Sequence, residues 1–201
     1  AVLSRLFKCK KTVLGDVSQT VNPYSSSSAE SIEEVFPQAD VVRLNRSYRS
    51  TWEITAFAQK IKTNPNIIPM QRHGEEPQVL GFGSNAEEME EIKKQIAAFK
   101  ESGYQALAII CKTQAQAEAA FEKVQDHGIF LLTPESTSFT QGVIITMTHL
   151  SKGLEFDEVV IPFASAKNYQ TEMDRGLLYI ACTRAMHRLT ITYSGDLSPF
   201  V

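Results

Sequence analysis

Apolar residues recur along this chain with two different periods, and their alternation predicts a layered architecture. Apolar runs at 79–82, 106–111, 129–132, 143–148, 159–163 and 189–193 have the length and composition of strands. The run at 106–111 has no polar position, the pattern of a strand buried on both faces of a parallel sheet. Helical spacing fills the intervals. Residues 85–101 place Met89, Ile92, Ile96 and Phe99 on one side, with Gly103 as the expected stop. Residues 114–125 form another helix, closed by Asp126-His127-Gly128. Upstream, 51–62 carries Trp52, Ile54, Phe57, Ala58 and Ile61 as a broad apolar face, and Asn64-Pro65-Asn66 breaks it. A short helix at 29–36, capped by Ser28, follows a serine run. Residues 11–15 predict a short strand, 41–44 an extended segment and 71–76 a loop. Strands alternating with helices predict an α/β fold built on a parallel sheet.

Composition narrows the class. The 201 residues, 43% of them apolar, suffice for one substantial core and a fragment of a neighbour. No apolar run approaches the roughly 18 residues of a membrane span, and no basic segment leads into an apolar one as in a signal peptide. The chain opens at Ala1, inside an apolar, basic segment, and reads as a cut or an excerpt of a longer one, with a processed terminus as the alternative. Cys9, Cys111 and Cys182 are far apart and odd in number, so neither a metal site nor a disulfide framework is expected and a reducing cytoplasm fits best. The net charge of −3 provides no global attraction for nucleic acid, so such contact must come from local patches.

The chemistry concentrates in 143–188. A β-branched strand runs into the polar turn His149-Leu150-Ser151-Lys152-Gly153, a carboxylate follows at Glu155, and after a second strand a helix ends in Thr183-Arg184-Ala185. Strand, loop and cationic helix in this order suggest a phosphate site at the edge of an α/β sheet. Two earlier segments invite similar readings. Leu14-Gly15-Asp16-Val17-Ser18-Gln19 ends the first strand with an amide that can meet a phosphate, although an ordinary turn has the same composition. Asn45-Arg46-Ser47-Tyr48-Arg49-Ser50 sets an aromatic beside an arginine, as base stacking with phosphate binding needs, or as two surface arginines around a half-buried tyrosine would look. Arg184 is equally placed to complement a helix dipole.

Together, in this order, the four segments resemble motifs of the UvrD/Rep/PcrA-like superfamily-one helicases. Gly15 to Gln19 resembles G-D-x-x-Q. Residues 45–50 resemble N-Y-R-S, 148–156 resemble T-H-x-x-K-G-L-E-F, and 177–185 resemble L-L-Y-V-A-x-T-R-A. The resemblance implies a RecA-like α/β domain of the P-loop NTPase type, with a parallel sheet flanked by helices. It implies that 1–40 end a first RecA-like domain and that 41–201 form the second. Gln19 would sense the γ-phosphate, and Arg49 and Arg184 would act as arginine fingers. Tyr48, Gly153 and Glu155 would meet the nucleotide. Thr148 and His149 would meet the nucleic-acid backbone.

The chain has no G-x-x-x-x-G-K-[ST], and its Asp157-Glu158 pair is placed before a strand instead of at its end. ATP would therefore be bound jointly with the first RecA-like domain, which would also hold Mg²⁺; no metal ligand is expected here. Single-stranded or duplex DNA is the implied partner, and no membrane. Two departures from UvrD matter. After Gln19 the base-stacking aromatic of that branch is lost, leaving Tyr24 as a substitute, and no large insertion separates the second and third motifs. Both features resemble the HelD or helicase-IV-like branch, some members of which act on stalled RNA polymerase.

Overall fold

A computed structural model describes residues 6, 9–15, 29–124, 128–136 and 141–201. A short helix, α1 (Ala29–Val35), precedes a two-residue parallel ladder of β1 (Arg46–Ser47) on β2 (Ile68–Pro69), between which lies α2 (Trp52–Ile61). There follow β3 (Gln78–Phe82), α3 (Asn85–Lys100), β4 (Ala106–Cys111), α4 (Gln114–Val124), β5 (Ile129–Leu131), β6 (Gly142–Met147), α5 (Thr148–Ser151), β7 (Phe156–Ile161), α6 (Glu172–Cys182) and β8 (Ala185–Ser194). The last six strands form one sheet in the order β3-β8-β7-β4-β6-β5, every pair parallel.

The centre of the sheet shows how pattern becomes packing. β4 lies between β6 and β7 and is covered on both faces. Its side chains alternate, as the two-residue period of a strand requires. Leu107, Ile109 and Cys111 enter a cluster with Met89, Ile92, Ile96 and Phe99 of α3, while Ala108 and Ile110 enter one with Ile54, Ala58 and Ile61 of α2 and Leu178 to Cys182 of α6. Burial pushes the thiols of Cys111 and Cys182 far up, so both act as small core residues.

Helix starts follow local chemistry. Thr51 caps α2 by accepting from the Ile54 N–H at 3.4 Å. Ser84 caps α3, and Glu87 reaches back to the Gly83 N–H at 3.0 Å. Thr171 and Asp174 form a reciprocal box at the start of α6. Asp174 also pairs with Lys112 at 2.5 Å. Burial alone raises this carboxyl, but Lys112 and the N–H groups of Gln170 and Thr171 outweigh it and leave it below the ordinary aspartate range. Its stabilising contribution is therefore fully present above about pH 4 and fades as pH falls through the depressed folded value. Asp174→Asn should cost about 1–3 kcal/mol at neutral pH, and urea unfolding at two pH values should show that cost vanishing in acid.

Several expectations are corrected. Residues 11–15 are exposed and form no strand, because no described segment pairs with them. Trp52 is exposed, while Ile54, Ala58 and Ile61 carry the burial of α2. The α3 helix stops at Lys100 with Glu101 in a right-handed conformation and does not need Gly103. The turn expected at 149–153 begins as the helical turn α5. Asp157 and Glu158 lie inside β7, where Asp157 accepts from the Gln105 and Ala106 N–H groups and Glu158 pairs with Arg188. The helix α6 ends at Cys182, and Ala185 already belongs to β8.

Candidate nucleotide and nucleic-acid site

Parallel strands put all their starts on one edge of the sheet and all their ends on the other, and this sorts the candidate residues into two groups. Arg49, Glu155 and Arg184 gather where β7 and β8 begin. Thr148 and His149 stand at the opposite edge, just past the end of β6. Six strand residues at about 3.3 Å each separate the edges by roughly 20 Å. Residues 148–155 bridge that distance as one helical turn followed by extended chain.

At the first edge, the segment leading into α2 is stitched to the start of β8. The Ser50 hydroxyl donates to the Ala185 carbonyl at 2.6 Å, and the Thr51 N–H donates to the Met186 carbonyl at 3.3 Å. This anchors Arg49, whose Nη2 pairs with Glu155 Oε1 at 2.6 Å and whose Nη1 donates to the Thr183 carbonyl at 3.4 Å. Its Nε is buried and makes no hydrogen bond. The guanidinium is thus partly committed to a half-exposed carboxylate and retains one unsatisfied donor. Beside it, the Tyr48 ring is 66% exposed. An exposed ring adjoining an incompletely satisfied guanidinium suits a nucleotide with its base stacked and its phosphates facing the cation.

Arg184 is placed differently. It is 1% exposed, with Nε donating to the Ile180 carbonyl at 3.2 Å, Nη1 to the Leu154 carbonyl at 3.4 Å and Nη2 to the Thr183 hydroxyl at 3.2 Å. Its bond to Ile180 engages the last turn of α6, which is the dipole-complementing arrangement. Gly153 has φ +87°, a backbone that residues other than glycine adopt at a cost, and so lets the chain turn from α5 toward Glu155.

At the second edge, Thr148 is fully buried and its hydroxyl donates to the Cys111 carbonyl at 3.1 Å. Its side chain therefore faces the end of β4 and has no surface for a strand of nucleic acid, contrary to expectation: the orphan carbonyl at that strand end takes the hydroxyl inward. His149 and Lys152 are exposed. Gln19 and Tyr24 lie outside the described residues. Among the described residues no group of three or more His, Cys, Asp or Glu converges as a metal site, and no helix is long and apolar enough to cross a membrane. Sequence reasoning missed Ser50 and Thr183, which hold Arg49, and the Lys112–Asp174 pair. A hydroxyl or carbonyl used this way leaves no trace in residue spacing.

The chain matches known families in two adjoining segments, 42–141 and 142–192, both described as UvrD-like helicase C-terminal domain. The C-terminal domain of a possible DNA helicase from Lactobacillus plantarum WCFS1 is similar in structure, with a TM-score of 0.65 and 35% identity over 77% of this chain and 91% of that one. The arterivirus nonstructural protein 10 helicase bound to DNA is far more distant, at TM-score 0.40 and 10% identity over 61% of this chain and 31% of that one, and contributes nothing to the assignment. No curated protein matches the chain in sequence. The six-stranded parallel sheet with helices on both faces is a RecA-like fold, and the chain belongs to the family of UvrD-like helicase C-terminal domains.

Proposed function

We propose that this domain supplies one wall of an ATP site completed by a P-loop domain of the same protein, within an ATP-dependent DNA helicase or translocase. Residues 1–40 then belong to the first RecA-like domain, and Gln19 reads the γ-phosphate. The observation that carries this reading is Arg49: a part-exposed guanidinium held at the sheet edge by Glu155 and Thr183, next to an exposed aromatic ring. Phosphoryl transfer to water requires little covalent chemistry from the protein. It requires positioning and positive charge on the γ-phosphate oxygens, which Arg49 supplies when the cleft closes. Tyr48 stacks on the base and Glu155 turns from Arg49 to the ribose. Arg184 reaches phosphate only if it leaves the Ile180 and Leu154 carbonyls that hold it, which couples the second arginine to closure. Mg²⁺, bound to carboxylates outside this chain, would neutralise further phosphate charge. His149, with Lys152 beside it, contacts the nucleic-acid backbone; Tyr24 is a further candidate for base stacking.

A second reading has a specific support. The interval from Ser50 to Thr148 holds α2, β2, β3, α3, β4, α4, β5 and β6. Among the described residues no inserted subdomain follows Arg49, which resembles the HelD-like branch, some members of which act on stalled RNA polymerase.

The isolated chain should release no phosphate from ATP even with single-stranded DNA, whereas the intact protein should. Turnover by purified 1–201 that persists through removal of contaminating ATPases would refute a shared site. Strand displacement by the intact protein, with and without RNA polymerase, separates the two readings. Tyr48→Ala should weaken nucleotide binding while Tyr48→Phe retains it, since stacking needs the ring and not the hydroxyl. Equal damage from both, by titration with a fluorescent nucleotide, would assign the role to the hydroxyl instead.

A further inference from the structure

The loop after β2 is a polar segment with no regular structure, yet its residues grip the Arg49 segment at several points. The Arg72 guanidinium donates through Nη2 to the Arg49 carbonyl and, at 3.2 Å, to the Met186 carbonyl. The Arg72 carbonyl accepts from the Trp52 N–H at 2.8 Å. The next two residues hold Glu53, whose carboxylate takes the Gly74 N–H at 2.9 Å and His73 Nδ1 at 2.7 Å. The ring of His73 leans on that of Trp52, centroids 5.9 Å apart. The fit is close: a Cβ on Gly74 would stand 2.7 Å from Thr51 Cγ2, and Thr51 is the residue that caps α2.

Apart from the bond to Met186, each contact lands within residues 49–53, the segment that ends the Tyr48-Arg49 pair and starts the helix. A bound carbonyl at Arg49 restrains the rotation of its own peptide, and so the direction in which its side chain leaves the backbone. Met186 lies two residues beyond Arg184 in chain order. One guanidinium therefore ties the backbone carrying the first candidate arginine to the strand that follows the second. Both bonds leave from Nη2, whose two N–H groups lie in the guanidinium plane and reach carbonyls on different segments.

We infer that Arg72, seated by His73 and Gly74, is a positioning residue that sets Arg49 for phosphoryl transfer. This rests on the proposed role of Arg49. Arg72 itself meets no substrate; it acts through the Arg49 backbone. The same hydrogen bonds would also serve plain loop stability, so the test must read something that stability does not move.

The test is a double-mutant cycle on the intact ATPase, with Arg49→Ala, Arg72→Ala and the two combined, followed by steady-state kinetics and circular dichroism. Arg72→Ala should lower kcat by about 10²-fold, as a misplacement of roughly 1 Å at a catalytic group can do, with KM for ATP unchanged and the fold retained. In the Arg49→Ala background, removing Arg72 should cost no further kcat, because residues that act as one unit are not additive. Gly74→Ala, which pushes the loop and Arg72 with it off Thr51 while removing no guanidinium from the chain, should lower kcat in the same direction. Where Arg72→Ala fails to fold, Arg72→Met, which keeps the aliphatic stem and removes every donor, replaces it in the cycle with the same expectation of non-additivity. Wild-type kcat in the folded Arg72 variant, or losses that multiply in the double mutant, overturns the positioning role while leaving the nucleotide site standing. An Arg49→Ala protein with wild-type kcat overturns the nucleotide site, and the positioning role with it.

Discussion

Replacing Arg49 with alanine is expected to lower kcat of the intact ATPase by about 10³-fold or more, the scale on which arginine fingers act. KM for ATP should change far less, because the cation is most needed when charge shifts onto the γ-phosphate oxygens. The pair with Glu155 is no obstacle to this role. At 2.6 Å it is well formed, but both side chains keep contact with solvent, 28% for Arg49 and 47% for Glu155. Ion pairs of that exposure are worth about 0–1 kcal/mol, which a phosphate carrying more than one negative charge exceeds easily. The resting pair thus holds the guanidinium near the cleft without trapping it. Arg49→Lys should not rescue, since a point charge cannot replace the fork. Steady-state hydrolysis with saturating DNA decides the matter, and a near-normal kcat in Arg49→Ala would take the residue out of the site.

Arg184→Ala should reduce kcat on the same scale but with a second, distinguishing consequence. Arg49 is partly exposed and its main partner is the half-exposed Glu155, so its loss should cost about 1 kcal/mol or less of stability. Arg184 is buried and donates to two carbonyls and a hydroxyl. Hydrogen bonds involving a charged group contribute about 1.5–3 kcal/mol each, and the partners left behind stay buried. A loss of stability on the order of 3 kcal/mol is expected, measured by urea unfolding of chain 1–201. If Arg184→Ala unfolds as the wild type does, the guanidinium is not seated against α6. If it is destabilised but keeps full kcat in the intact protein, Arg184 is a helix-end residue alone and the site has one finger.

How much of this was visible in the chain differs from element to element. The strand at 106–111 was legible because a run without polar residues can satisfy its side chains only in the middle of a sheet, and β4 is there. The helix at 51–62 was legible from its period, but not the fate of Trp52. Period places a residue on a face and leaves open how far the opposing layer extends, and here it ends before Trp52. The strand expected at 11–15 failed for a related reason: an apolar run is a strand only when another backbone takes its hydrogen bonds, and none of the described residues does.

Among site residues, spacing carried type and not orientation. Tyr48, Arg49, Glu155 and Arg184 stand out because ring, cation and carboxylate occur at motif positions. Thr148 was read as facing outward, and the structure turns it inward onto Cys111. Arg72 carried no motif at all, since its partners are backbone carbonyls, which every residue has.

The amino-acid sequence by itself determined the α/β class, the buried central strand, the amphipathic helices at 51–62 and 85–101, and the membership of four segments in one family of motifs. These follow from local chemistry: side-chain period and residue type act over a few neighbours. Tertiary structure alone decided that Glu155 meets Arg49, that Arg184 is covered while Arg49 is not, and that the nucleotide and nucleic-acid candidates stand on opposite edges of the sheet. Those outcomes depend on strand order and crossover direction, which place residues more than a hundred positions apart in contact. No local pattern encodes that distance, because it is set by which strands pair and by which face of the sheet each connecting helix covers.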